Sequence, residues 1–207
     1  WSSDVCSSDL GGMIEFPHDI GPQSFAMRQV DFGGVMRPAL GGAVTRVNRL
    51  GNRYAADVSL PPLELDRGRL FVSRLIRART EGLRMEIPLT LGQQGIPGTG
   101  ATVDGAVTGG TSLPVKGVNP GWVAKEGYWL SVVKSGQHYA HNVCALATAD
   151  GTGDVTLTIE PALRVALSDG DVVHLARPMI EGFVEGDGWE WSLAHHAMIS
   201  FTIEEAA

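Results

Sequence analysis

SLPPLELDRGRLFVSRLIRARTEG, residues 59–82, differs from the sequence around it because its apolar residues have helical spacing. Pro61 and Pro62 end the preceding strand, since proline removes a ladder donor and suits the first turn of a helix. At about 100° per residue, one face of the segment collects the apolar side chains: Leu65, Phe71, Val72, Leu75 and Ile76. The spacing predicts an amphipathic helix over residues 62–81, ended near Gly82.

Three arginines fall on the other side of this helix: Arg67, Arg74 and Arg77. They form a concentrated positive patch on a chain whose formal net charge is −7. Two interpretations stay open, a solvated helix face and a surface that meets acidic residues of a neighbouring subunit.

The rest of the chain has the short alternating runs of an all-β protein. Tyr54, Ala56 and Val58 alternate with more polar neighbours, which predicts a half-buried strand. The 27 glycines and 11 prolines are scattered along 207 residues, which favours turns over disorder. The alternation over residues 189–204 is long for one strand, so we expect two strands or a bulge near His195.

The sequence becomes rich in Gly, Pro and Thr at Gly92, and the earlier composition returns near Arg177. Between these points lie short runs such as YWLSVV and DVTLTIEP, separated by glycine-rich turns. Strands at this spacing favour a small barrel or sandwich. The first residues, WSSDVCSSDL, are similar to a translated sequencing-adapter remnant, so residues 1–12 are expected to be non-native or disordered.

Composition excludes several classes of protein. The negative charge and the pI near 5.3 argue against a general nucleic-acid-binding surface. Cys6 and Cys144 are too few for a disulfide framework. No apolar run approaches the roughly 20 residues that span a bilayer, so we expect a soluble chain without a membrane anchor.

No motif predicts catalysis, a metal or a cofactor. His138, His141 and Cys144 are three residues apart, and on a strand such side chains point to opposite faces. The DGTGD stretch at residues 150–154 is interpreted as a hairpin turn instead of a calcium loop. The acids of a candidate glycosidase pair lie in a glycine-rich turn, where we expect them to be solvated: Glu181, Glu185, Asp187 and Glu190. We therefore expect a protein that is not an enzyme.

Tryptophans leave a binding role open. Trp122 and Trp129 are candidate glycan contacts of a carbohydrate-binding β-sandwich module, although such residues also serve as core.

Three pieces of the sequence resemble the distal-tail (minor tail) proteins of long-tailed bacteriophages and prophages. The first is NRYAADVSLPPLELDRGRLFVSRL, residues 52–75. The second, residues 126–178, contains G-x-G-x-x-x-L-x-I-x-P-x-L-R from Gly151 to Arg164. The third is a closing strand pair after RPMIEGF that ends in IEE, residues 203–205.

The resemblance implies a mainly β fold: a β-sandwich like that of tail-tube proteins, with one packed amphipathic helix and an inserted small β-barrel. The ring-forming sandwich would comprise residues 13–91 and 178–207, and the barrel residues 92–177. The changes in sequence composition at Gly92 and near Arg177 agree with these boundaries.

The same resemblance implies a structural role in the virion, at the phage tail tip. Copies of the chain would form a ring, a hexamer, that joins the tail tube to the baseplate hub. The implied partners are the tail tube protein, the hub or tail-fibre proteins and the tape-measure protein, with DNA passing transiently through the lumen. Arg67, Arg74 and Arg77 would lie at the subunit interface.

Overall fold

The computed structural model describes residues 12–17, 19–39, 41–47, 49, 51–89, 94–185 and 196–206, without the side chains of His196 and Ala197. Apart from Gly12, the predictions for residues 1–12 lie outside these ranges. So do Gly92 and the predicted bulge near His195.

The described residues form 18 strands and one helix, numbered in chain order. They are β1 Ile14–Glu15, β2 Ser24–Val30, β3 Gly34–Met36, β4 Thr45–Val47, β5 Arg53–Ser59, β6 Leu63–Glu64, α1 Leu65–Glu81, β7 Leu83–Glu86, β8 Thr102–Val103, β9 Gly110–Lys116, β10 Val123–Ala124, β11 Trp129–Lys134, β12 Gln137–Val143, β13 Ala147–Thr148, β14 Val155–Leu163, β15 Val173–His174, β16 Met179–Glu185, β17 His196–Ala197 and β18 Ser200–Glu205.

The first sheet has six strands, in the order β1-β7-β16-β18-β5-β2. Strands β1, β2, β5 and β7 come from the first part of the chain, and β16 and β18 come from its end. Period-two alternation buries Phe201 and Ile203 of β18 on one face of the sheet and leaves Thr202 and Glu204 on the other. The sheet therefore needs a cover on one face only.

Helix α1 supplies part of that cover. It buries Gly68, Phe71, Val72, Leu75 and Ala78, in the same core as the inward face of the sheet. Phe71 packs edge to face on Phe16 with ring centroids 5.3 Å apart. The predicted helix is confirmed, and it ends at Gly82, whose φ of 87° suits glycine.

Two details of the predicted helix are wrong. It begins at Leu65, not at residue 62, because Leu63 and Glu64 remain extended and pair with β17. Ile76 is 50% exposed, because the buried face is centred on Phe71, Leu75 and Ala78 and Ile76 lies about 100° from Leu75.

The second sheet is barrel-like, with the order β15-β11-β12-β14-β9-β8. Its two ends approach each other. The Val103 amide donates to the Asp171 carbonyl oxygen at 2.8 Å, and the Val173 amide donates to the Ala101 carbonyl oxygen at 2.9 Å. The sheet is nearly closed, and closure protects strand edges.

The mainly β fold with one packed helix and a barrel-like sheet is thus confirmed. The residues of the second hydrophobic core lie between Ala101 and Leu175. The first core combines residues from before and after this stretch with Ala140 from within it. The domain boundaries themselves stay a prediction.

Gly182 in β16 lies against β18 so closely that a Cβ atom would overlap the backbone carbonyl oxygen of Glu204. We predict that Gly182→Ala lowers the free energy of unfolding by about 1–3 kcal/mol, because the two strands must separate to admit the methyl group. Urea denaturation measures this change.

Gly151→Ala is the matched control, since no heavy atom lies within 4 Å of the added Cβ. Equal denaturation midpoints for the two variants would show that β16 and β18 are not packed as described.

Candidate functional site

A two-stranded ribbon connects β2 to β5 and continues their pairing beyond the first sheet. Strands β2 and β5 pair from Ser24↔Ser59 to Val30↔Arg53. Strands β3 and β4 then pair from Gly34↔Val47 to Met36↔Thr45. All six residues of β3 and β4 are exposed.

The ribbon exposes large apolar side chains to solvent. Val35 is 54%, Met36 64% and Val44 62% exposed, with Phe32 and Val47 less so. A two-stranded hairpin has no core of its own, so these side chains have nothing in the ribbon to cover them. Clustered exposed apolar residues are typical of a protein contact surface.

The root of the ribbon is held in place. The Phe32 amide donates to Oδ1 of buried Asn52 at 2.8 Å. The Arg53 guanidinium lies 4.9 Å from the centre of the Phe32 ring. Arg46 pairs with Asp31, which ties the two sides of the ribbon together. These contacts fix where the apolar side chains are presented.

Strand β2 is an edge of the first sheet, since in the described part of the chain it pairs with β5 alone. Its seven residues therefore leave one row of backbone donors and acceptors without a strand partner. We call β2 and the β3–β4 ribbon together the assembly surface. The sequence does not predict this surface, because nothing in GGVMRPALGG, residues 33–42, shows that its apolar side chains stay uncovered.

The three predicted interface arginines lie in different environments. Arg67 donates to Asp19 at 2.6 Å, and Arg77 pairs with Glu81 at 2.7 Å. The hydrogen bond from Arg77 lowers the pKa of the Glu81 carboxyl. Arg74 is half-buried, and no described carboxylate lies within ion-pair distance of it. Two of the three charges are thus compensated within the chain.

Leu70 and Ile76 lie among these arginines and are 43% and 50% exposed. Apolar side chains mixed with arginine are typical of protein interfaces. The prediction assigned Ile76 to the buried face and did not consider Leu70, so the exposed apolar part of this helix surface was missed.

The structure separates the two candidate glycan tryptophans. Trp122 is 7% exposed, and its Nε1 donates to the Gln94 carbonyl oxygen at 2.8 Å. In this position it offers no ring face to a sugar. Trp129 is half-buried and packs edge to face on Tyr54 at 4.8 Å between ring centroids.

Trp129 lines a cleft of about 280 Å³ together with Phe25, Met27 and Tyr128. Gln94 also lines the cleft, and its side-chain amide is used within the chain. Its Nε2 donates to the carbonyl oxygens of Trp129 and Leu175, and its Oε1 accepts from the Trp129 amide. The Gln94 side chain is therefore not free to orient a sugar.

The other residues considered for chemistry are engaged in structure. His138 stacks on His174, and His141 lies against the Pro161 carbonyl oxygen. Among the described side chains, no three or more His, Cys, Asp or Glu residues are arranged to hold a metal ion. Asp150 accepts from the amides of Thr152 and Asp154, so these residues form a turn. It is not the predicted hairpin, because β13 pairs with β10 while β14 pairs with β9 and β12.

One expectation about the acids is wrong. Glu181 was expected to be solvated, yet it is 2% exposed and accepts from Arg84 Nε at 2.7 Å. Glu185 is exposed and pairs with Arg28. Asp187 and Glu190 lie outside the described residues. Glu181 also accepts from the His138 amide of the barrel-like sheet, a contact between the two sheets that the sequence around it does not reveal.

No protein-family model matches the chain, and no curated protein matches its sequence. Within the described ranges, no helix has both the length and the apolar character that crossing a membrane requires.

Proposed function

We propose that this chain is a distal-tail (minor tail) protein of a long-tailed bacteriophage or prophage. Copies of it form a ring, a hexamer, at the tail tip of the virion. The ring joins the tail tube to the baseplate hub, and its role is structural and not enzymatic.

The assembly surface carries this proposal. Its exposed apolar ribbon and its seven-residue free edge on β2 are continuous, and both are features that proteins cover by association. A ring needs a contact that each copy can make with the next. A ribbon projecting from the edge of a sheet is suited to that contact, because it reaches beyond its own subunit.

The chain topology gives further support. The strands of the first sheet come from both sides of the barrel-like sheet in sequence, so the barrel interrupts the sheet in the manner that the resemblance implies. In the proposal, the first sheet forms the ring and the barrel faces outward, toward baseplate proteins or the host surface.

The tail tube protein, the tape-measure protein and the hub or tail-fibre proteins are the proposed partners. DNA passes through the lumen without being retained, because a chain with net charge −7 repels a polyanion.

A carbohydrate-binding module is the second candidate. The observation that favours it is Trp129, which lines a cleft beside Tyr128. Aromatic rings in a cleft are suited to packing on a sugar. This candidate requires no self-association, and it gives no role to the exposed ribbon.

Removing the apolar side chains of the ribbon should prevent ring formation. We predict that the wild-type protein forms rings at micromolar concentration, while Val35→Ser/Met36→Ser/Val44→Ser stays monomeric. At concentrations too low for assembly, its melting temperature should equal that of the wild type, because exposed substitutions change the free energy of unfolding by about 0.5 kcal/mol or less. Mass photometry and negative-stain microscopy measure the assembly.

Leu146→Ser/Met198→Ser is the matched control, because these residues are 70% and 74% exposed and lie outside the ribbon. This control should assemble like the wild type. A wild-type monomer at every concentration, with glycan binding that Trp129→Ala abolishes, would contradict the ring and favour the carbohydrate module.

Charge reversal tests the helix surface separately. If Arg74 and Arg77 meet acidic residues of a neighbouring subunit, Arg74→Glu/Arg77→Glu should weaken ring assembly at least tenfold, since like charges then face each other. The concentration at which half the protein is assembled gives the readout, with exposed Arg69→Glu as the control. Unchanged assembly would assign this surface to solvent.

A further inference from the structure

Strand β12 is where the two hydrophobic cores meet. It pairs with β11 along its whole length, from Trp129↔Asn142 to Lys134↔Gln137. On its other side it pairs with β14 only at Asn142 and Val143. Ala140, in the unpaired part, is completely buried in the first core.

Two carboxylates of the first sheet take the place of the missing strand neighbour. The His138 amide donates to Glu181 Oε2 at 3.2 Å, and the Ala140 amide donates to Glu205 Oε1 at 2.7 Å. Glu181 lies in β16 and Glu205 lies in β18. Buried backbone amides need acceptors, so these two bonds attach the barrel-like sheet to the first sheet.

Each of the two acids is already paired with a cation. Arg84 Nε donates to Glu181 Oε2 at 2.7 Å. Arg164 Nη2 lies 3.0 Å from Glu205 Oε1, and Arg164 is 6% exposed. Glu205 also accepts from the Tyr54 amide at 2.8 Å. The charges of both carboxylates are therefore compensated before any histidine takes up a proton.

Two histidines of β12 are buried beside these pairs. His138 stacks on His174 with centroids 5.1 Å apart, and its Nδ1 lies 3.3 Å from Ser131 Oγ. His141 is 1% exposed, with Nδ1 2.9 Å from the Pro161 carbonyl oxygen. Its Nε2 is buried and has no hydrogen-bond partner in the described part of the chain.

We propose that β12 is an acid-sensitive joint: protonation of His138 frees this strand from Glu181 and Glu205. The barrel-like sheet then separates from the first sheet while both cores stay folded. An added proton on the His138 ring would lie in a buried site whose nearby acid, Glu181, is already paired with Arg84. The open joint gives the His138 imidazolium access to water, whereas His141 stays on the face of β12 that lies in the barrel core with Leu130 and Val143. This inference does not depend on the proposed ring.

The electrostatic surroundings give the direction of the effect. Burial, followed by the charge of Arg84 and then of His174, lowers the pKa of His138 to about 4. Burial and the charge of Arg164 also lower the pKa of His141 to about 4, within the barrel core. Because of His138, the closed joint is fully stable above about pH 6.5 and loses stability as the pH falls toward about 4.

The remaining charged and titratable groups at the joint act in both directions. Burial, with Arg84 and Arg177, lowers the pKa of His174, which adds to the acid effect. Burial raises the pKa of Glu205, so its protonation favours the closed joint and opposes the effect in part. Tyr54 and Tyr139, whose pKa values are raised by burial, stay neutral throughout this pH range.

Hydrogen exchange of the full chain, followed by NMR at pH 7 and pH 5, tests the joint. Protonation of His138 should increase the open population about 20-fold between these values. The protection factors of the His138 and Ala140 amides should fall accordingly. Those of Leu157 in β14 and Leu75 in α1 should fall far less, because each lies inside one core.

Unchanged protection of the His138 and Ala140 amides at pH 5 would overturn the proposal. An equal fall in protection at all four amides would also overturn it, since the whole chain would then unfold together.

Substitution of the histidines provides the second test. His138→Asn keeps a side-chain amide that can replace Nδ1, and its protection factors should change far less between pH 7 and pH 5, the remainder coming from His174 and Glu205. His141→Asn is the control, because His141 lies on the barrel-core face of β12, and it should keep the pH effect at the His138 and Ala140 amides. A His138→Asn variant that keeps the full pH effect would overturn the proposal.

Discussion

The carboxylate of Glu205 is the interaction on which the arrangement of this molecule depends. It accepts from the Tyr54 amide in β5 and the Ala140 amide in β12, and it pairs with Arg164 beyond the end of β14. One side chain of the first sheet thus contacts both sheets. Without it, two backbone amides would be buried without their acceptor and the Arg164 guanidinium without its counter-ion, which is costly in a low-dielectric interior.

This constraint explains why the barrel-like sheet is packed against the first sheet and is not an independent unit. Ala140 and Trp129 lie in the barrel-like sheet, yet they pack against the first core. Glu181, on the neighbouring strand β16, makes the same kind of contact as Glu205: it accepts from a β12 amide and pairs with a cation, Arg84. The joint is polar and buried, whereas the assembly surface is apolar and exposed. We therefore propose that the joint holds the two sheets of one copy together and that the assembly surface makes the contacts between copies.

Much of the fold follows from local sequence patterns. The helix was predictable because Phe71, Leu75 and their neighbours repeat with helical spacing, and β5 and β14 because their apolar residues alternate. The start of the helix at Leu65 was not predictable, since pairing of Leu63 with β17 is a contact over more than 130 residues. The candidate site was predicted least well. Exposure of Val35 and Met36, and burial of Trp122, depend on which parts of the chain pack together. The burial of Glu205, by contrast, was predictable from the sequence, because Glu205 continues the alternation that buries Phe201 and Ile203.

The most direct test of the account is the urea unfolding of Glu205→Leu, compared with Glu204→Gln on the opposite face of β18. We predict that Glu205→Leu lowers the free energy of unfolding by about 3–5 kcal/mol, because it leaves two amides without their acceptor and Arg164 without its counter-ion. It should also split the transition, since the two cores lose their shared contact. A single transition with a loss no larger than that of Glu204→Gln would contradict the account.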